Sequence, residues 1–302
     1  MAEYLLWHLL RDGLGPKGIG ALNVGRATDG STTTIVDTVF ETSLKNNTWK
    51  RGTALILRDS AGAAAAPEGE FSEIASASGS TWTLIDTLTD AVTSGDRYGV
   101  LESDFGGHEN LIEMASIAIQ SLGDTIVVDT TTLDSADNQT EYAWAAEWQR
   151  SMPIRIDIQT NTEDANDNKW VQTHDWEVIP GAVGEAGLII FHGQLPASRD
   201  IRVWYEGQHP DLNAFDDEIS QFIDPNLARA AFTEALRGYL LSEDYTDRDL
   251  RDGYNKAAQE LEDARREFKI WKPSKNPGIP TTLGNLHVSF TAGKVRLGRT
   301  TF

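Results

Sequence analysis

The alternation of hydrophobic and polar positions changes rhythm several times along this chain. Near the start, Leu5, Leu6, Leu9 and Leu10 share one side at helical spacing, which predicts a short amphipathic helix over residues 3–12 with Gly13 as its stop. From Asn23 to Leu101 the texture is Thr, Ser, Gly and Ala around short β-branched runs, such as Thr53-Ala-Leu-Ile-Leu57 and Thr81-Trp-Thr-Leu-Ile85. Turn signals at Lys45-Asn46-Asn47, Ser78-Gly79-Ser80 and Ser94-Gly95-Asp96 separate the runs, so a small all-β module, barrel or sandwich, is expected there. Residues 108–122 return to steps of three and four through Leu111, Ala115, Ala118 and Leu122, which predicts a second helix. A second β region follows. Its strands are expected over 154–159, 170–174 or 176–179, 187–191 and 200–205, with Pro153, Pro180-Gly181, Gly193 and Pro196 as punctuation.

The last third reads as helical. Asp224 is a good N-cap with Pro225 at the first helical position, opening a helix to about Leu241. Another is expected from near Ser242 or Thr246 to Ile270, where Lys272-Pro273 ends it. Leu250, Tyr254, Ala257, Leu261, Ala264 and Phe268 form a narrow stripe on this helix, and the remaining positions are densely charged in both signs. About 27 residues of helix would span roughly 40 Å, more than a compact domain of this size needs. The stripe, with Leu250, Tyr254, Leu261 and Phe268 as its larger members, is therefore expected to mediate contacts between copies, with a solvated antiparallel bundle arm as the second reading.

Taken together, the pattern predicts an α+β fold. Its helical core, from residues 1–20, 106–125 and 211–271, carries two small antiparallel β modules at 21–105 and 126–210, with an extended C-terminal arm at 272–302. Three runs of the form Thr34-Ile-Val-Asp-Thr38 are unevenly spaced, and strand-forming composition accounts for them without a repeat.

Composition narrows the function classes. With no Cys among 302 residues, disulfides, thiolate metal sites and cysteine nucleophiles are excluded. Lys and Arg number 26 against 46 Asp and Glu, a net charge of −20 that repels nucleic-acid phosphate and anionic membranes. The N-terminus lacks the basic region and cleavage site of a secretory signal, and no apolar run nears the roughly 20 residues of a membrane span, so a soluble protein is expected. Charge is unevenly spread. Residues 1–270 hold 21 basic and 46 acidic residues, or −25, whereas 271–302 carry Lys272, Lys275, Lys294, Arg296 and Arg299 and no acid. A basic arm on an acidic body reads as an interaction tail, and its alternating stretch around Val288 and Phe290 could add a strand to a partner's sheet.

Catalytic patterns are weak. Gly13-Leu-Gly15-Pro-Lys-Gly18 fits the dinucleotide fingerprint but follows a helix instead of a strand, so a hinge is the better reading. Asp164, Asn166 and Asn168 with Asp175 imitate a calcium loop, yet Lys169 stands where the sharp turn needs Gly. The six His form no HxH or HExxH pair, which leaves zinc without support. No GxSxG elbow or phosphate-binding GxxxxGK[ST] loop occurs. Among 46 acids a glycosidase pair can be neither argued nor excluded. The nine Trp could line a sugar-binding face, though strand positions make core packing the default. No cofactor, no metal and no enzymatic activity are expected.

The order of parts, with Asn47-Thr-Trp49, Ala66-Pro-Glu-Gly-Glu70, Ser94-Gly-Asp-Arg-Tyr98, Ile201-Arg-Val-Trp-Tyr-Glu-Gly-Gln-His-Pro210 and the terminator Ile270-Trp-Lys-Pro-Ser-Lys275, resembles virion proteins of tailed bacteriophages. The resemblance is to neck proteins of the head-to-tail connector, or adaptor, type. It implies a homo-oligomeric ring, commonly of twelve copies, between the portal protein and tail or neck proteins, with DNA passing through its channel. The implied location is the virion neck, after synthesis in the host cytoplasm. Another virion position (tail, baseplate or fibre attachment) is the alternative within that class, and a carbohydrate-binding β protein the alternative outside it.

Overall fold

The computed structural model describes residues 3–40, 49–62, 65–105, 107–136, 139–143, 153–159, 170–179, 187–196, 198–243 and 246–268. The chain divides into two compact units, one from residues 1–123 with 209–270 and the other containing 124–208.

In the first unit, strands β1 (Asn23–Arg26), β2 (Asp29–Ser31), β3 (Thr34–Val36), β4 (Thr53–Arg58), β5 (Phe71–Ser78), β6 (Thr81–Leu84) and β7 (Arg97–Leu101) form one antiparallel sheet. Its order is β1-β7-β4-β5-β6-β3-β2. Alternation decides which side chains go inside: along β5 and β6, Ile74, Ala77, Trp82 and Leu84 are buried between less buried neighbours. Gly79, at φ +60°, makes the two-residue turn between these strands, a conformation that penalises any side chain. Trp49, Trp82, Tyr98, Ile35 and Ile56 fill the interior, with Trp49 and Trp82 edge-to-face at 6.4 Å between centroids.

The same unit holds helices α1 (Leu6–Leu14), α2 (His108–Gln120), α3 (Pro225–Glu243) and α4 (Arg248–Glu267). Leu6, Leu9, Leu10, Leu111, Ala115, Phe232 and Leu236 pack in one apolar cluster. Gly13 is not a stop. It lies inside α1, where an added Cβ would run into the Phe232 ring, so its role is close helix approach, and Gly15 follows the helix as its C-cap.

The second unit contains two antiparallel sheets. Strands β8 (Thr125–Asp134), β10 (Arg155–Gln159), β11 (Trp170–Thr173) and β14 (Asp200–Gly207) form the first, in order β11-β10-β14-β8. Strands β9 (Glu141–Ala143), β12 (Trp176–Ile179) and β13 (Leu188–Phe191) form the second, in order β12-β13-β9. Both contribute to one core, in which Ile156, Ile201 and Val203 meet Tyr142, Ile189 and Phe191.

This architecture corrects the expected fold class. The chain is not a helical core carrying two small β modules. Among the described residues it is mostly antiparallel sheet, fourteen strands in three sheets, with four α-helices. The pattern missed β8 because its Thr-rich run has little apolar alternation. Its backbone nonetheless pairs with β14 from Asp134 to Thr125, through an irregularity between Ile201 and Val203. The segment 126–210 holds two sheets around one core. The arm at 272–302 lies outside the described residues.

Candidate interaction surfaces

The predicted stripe lies on α4. Asp247 caps this helix, its carboxylate accepting from the backbone N–H of Asp249 at 2.7 Å and of Leu250 at 3.3 Å. At the preceding helix, Asp224 accepts from Asn226 N–H at 2.8 Å ahead of Pro225, as the residue types demand. With 20 residues behind a cap at Asp247, α4 starts close to Thr246, the later of the two expected starts, and not near Ser242. The structure places the stripe against the chain's own helices. Leu261 and Ala264 are buried in the helical cluster with Phe268 packed on them, and Ala257 is buried as well. Tyr254 and Leu250 are half-buried, and the Tyr254 ring lies beside Gly238 of α3. The opposite face is exposed and crossed by the ion pairs Arg248–Asp252, Lys256–Glu260, Arg265–Glu262 and Arg266–Asp263, at 3.2–3.7 Å. Each such pair contributes about 0.3–0.5 kcal/mol, so they shape the surface more than they hold it. Lys272, Lys275, Val288, Phe290, Lys294, Arg296 and Arg299 lie outside the described residues.

A cluster on the four-stranded sheet escaped the sequence reading. Antiparallel pairing sets Asp157 opposite Arg202 and Arg155 opposite Trp204. Alternation turns Ile156, Ile158, Ile201 and Val203 into the core and these four side chains to the other face. Asp157 is fully buried and accepts from Arg155 Nε at 2.5 Å, Arg202 Nε at 3.1 Å, Arg202 Nη2 at 2.8 Å and Trp204 Nε1 at 2.9 Å. The available signal was the repeated charged or aromatic residue at every second position of Arg155-Ile-Asp157 and Arg202-Val-Trp204. No local rule reveals that the two runs pair.

A cleft of about 520 Å³ opens beside edge strand β1, lined by Val24, Arg26, Asp37, Val39 and Phe40 among others. At its floor Asp37 accepts from Tyr98 Oη at 2.8 Å, Val39 N–H at 2.8 Å and Phe40 N–H at 3.1 Å. Burial first, and next the Asp37 carboxylate, push the Tyr98 hydroxyl well above the usual tyrosine range. This carboxylate fixes a chain corner through three donors.

Among the described residues no group of three or more His, Asp or Glu is placed to hold a metal ion. The calcium-like run at 164–168 lies outside them. The glycines of the dinucleotide-like motif belong to the end of α1 and the turn after it. Trp49 and Trp82, the Trp of the first β module, are buried, so neither contributes an exposed aromatic row for sugar. No helix of the described residues is long and apolar enough to cross a membrane. No known protein family, curated protein or solved structure matches the chain.

Proposed function

We propose that the chain is a structural, non-enzymatic protein of a tailed-phage virion, a head-to-tail connector of the adaptor type that assembles as a ring between portal and tail. The observation that carries this reading is the two-faced character of α4. Its buried residues, Ala257, Leu261 and Ala264, attach it to its own chain, while most of its 20 residues present charges of both signs outward. Head-to-tail contact between identical copies needs two different patches that fit one another, and a mixed-charge helix face sets register and orientation in such a contact. The charge of −25 over residues 1–270 suits a channel through which DNA slides without sticking. The basic arm at 272–302 is the part that reaches an acidic neighbour or adds a strand to it.

Electron microscopy of the particle that carries the protein, with the chain marked by an antibody, tests the placement. Label at the junction of head and tail is expected, and label at the tail tip or on no particle overturns the reading. Removing residues 272–302 should leave a folded protein that no longer joins heads to tails. Normal particle yield from the shortened chain would remove the arm from the proposal.

A further inference from the structure

We infer that the outer face of the four-stranded sheet binds a carboxylate of a polypeptide partner, a glutamate or aspartate side chain received by the paired guanidinium groups of Arg155 and Arg202. The inference is independent of the connector reading and would hold for any role of the chain.

Two guanidinium groups converge on one carboxylate, Asp157, and leave one positive charge unbalanced within the cluster. Asp157 has no exposure and already accepts four hydrogen bonds, so its remaining capacity is small. The arginines keep donors in reserve. Arg155 spends Nε on Asp157 and Arg202 spends Nε and Nη2, while the two Nη of Arg155 and Nη1 of Arg202 have no hydrogen-bond partner among the described residues. Their side chains are 41% and 22% exposed, so an incoming group can reach them.

The cluster is also held in place before any partner arrives. The Arg202 guanidinium lies 4.4 Å from the Trp170 ring centre and 5.2 Å from that of Trp204, two indoles supplied by different strands. The Arg155 guanidinium lies 5.2 Å from the same Trp204 ring. Stacking and the Asp157 bonds fix rotamers that a surface arginine would otherwise have to freeze on binding. Indole walls also withhold water from the cations, which strengthens their attraction for an anion. The planar donor fork matches a carboxylate in two-pronged geometry, and the indole edges offer apolar contact to the methylene stem behind it.

Charge decides between possible anions. A nucleic-acid strand gains affinity by having several phosphates neutralised together. The cluster of Arg155, Arg202 and Asp157 offers one surplus charge on a chain whose net charge is −20, and Asp200 and Glu206 stand on the same face of the strand as Arg202. One isolated carboxylate is the better match.

Binding can be read on the full chain through its tryptophan indole N–H signals in NMR, assigned by single Trp→Phe replacements. The probe is an acetylated, amidated hexapeptide of alternating glutamate and alanine at low ionic strength, with the glutamine version as control. Saturable displacement of the Trp204 and Trp170 signals is expected with the glutamate peptide and not with the glutamine peptide. Arg155→Gln should weaken binding about tenfold or more, the loss of one charge-assisted two-pronged contact. Its fold should persist because Arg202 and Trp204 still bond Asp157. If Arg155→Gln melts below the parent, Arg155→Lys keeps the charge without the fork and should bind more weakly than arginine. The inference is overturned by equal response to both peptides, by no displacement at any concentration, or by unchanged binding in both Arg155 variants. Tighter binding of inorganic phosphate or duplex DNA than of the glutamate peptide would equally overturn the carboxylate assignment.

Discussion

Tyr98 and Thr53 are both buried hydroxyl-bearing residues in the first sheet, yet their hydroxyls have opposite consequences. Tyr98 donates to Asp37, a carboxylate only 3% exposed, and removing that donor leaves a buried charged oxygen with less to hold it. The hydroxyl of Thr53 is buried and finds no hydrogen-bond partner. Burying an unsatisfied polar group costs about 1–3 kcal/mol. Tyr98→Phe should therefore destabilise the chain by that order, while Thr53→Val, which keeps the shape, should be neutral or stabilising by about 1 kcal/mol. Denaturant titration of the two variants beside the parent checks this pair. A Tyr98→Phe variant as stable as the parent would show that the Asp37 corner is held by Val39 and Phe40 alone.

At the scale of elements, α4 separates packing from surface charge. Leu261 is buried in the chain's own apolar cluster, so Leu261→Ala should cost about 2–5 kcal/mol whether or not copies assemble. Lys256 lies on the outer face in an exposed pair with Glu260 at 3.7 Å, and Lys256→Glu should leave stability within about 0.5 kcal/mol of the parent. If the outer face packs against neighbouring copies, the second change should impair assembly without moving the melt. Thermal melts together with electron microscopy of the assembled particles separate the two outcomes, and unimpaired assembly by Lys256→Glu would count against a role for this face. The sequence made the stripe itself legible, since period and apolarity were both present. Its partner was not, because a stripe packs equally well on a helix of its own chain or on a neighbour, and helix spacing is the same for both.

At the scale of the molecule, backbone pairing ties the segment before α1 to the loop before α3, with Leu6 N–H on the Asp217 carbonyl and Ile219 N–H on the Tyr4 carbonyl, and a neutral histidine braces each side. Ser220 N–H donates to His209 Nε2 at 3.0 Å, which assigns the ring proton to Nδ1, 2.7 Å from the Pro210 carbonyl it donates to. Leu5 N–H donates to His8 Nδ1 at 3.0 Å, and Leu5 itself bridges to Glu218 of that loop. Burial lowers both pKa values, assisted at His8 by Arg11 and opposed at His209 by the Pro210 bond, Asp217 and Glu218. A histidine whose folded value is depressed stabilises fully above the unfolded value of about 6.5 and loses that contribution as pH falls from there through its lower folded value. Relief of repulsion among the many carboxylates acts in the other direction on acidification, so the telling quantity is a difference. The stability gap between parent and His209→Gln should shrink between pH 7.5 and pH 5, and a gap that stays constant would remove His209 as a source of acid sensitivity.

Sequence alone determined the local elements whose signals are local. The Asp224-Pro225 helix start, the Gly79 turn and the alternating strands around Trp82 and Val203 follow from caps, φ preferences and side-chain period, all of which act within a few residues. It also determined the charge division between an acidic body and a basic arm. Tertiary structure decided everything that required distant segments to meet. Thr-rich β8 extends to Asp134 as a strand because β14 offers it backbone partners, which apolar alternation along the chain does not reveal. Asp157 becomes a buried anchor for two arginines because β10 lies beside β14 in one register, and a slip of β10 by one residue would send Arg155 and Asp157 to the face opposite Arg202 and Trp204. Gly13 reads as a stop in isolation and serves as a contact point once Phe232, more than two hundred residues away, arrives beside it. Pairing partner and register are properties of the folded chain, and a period of two or of 3.6 residues carries no information about either.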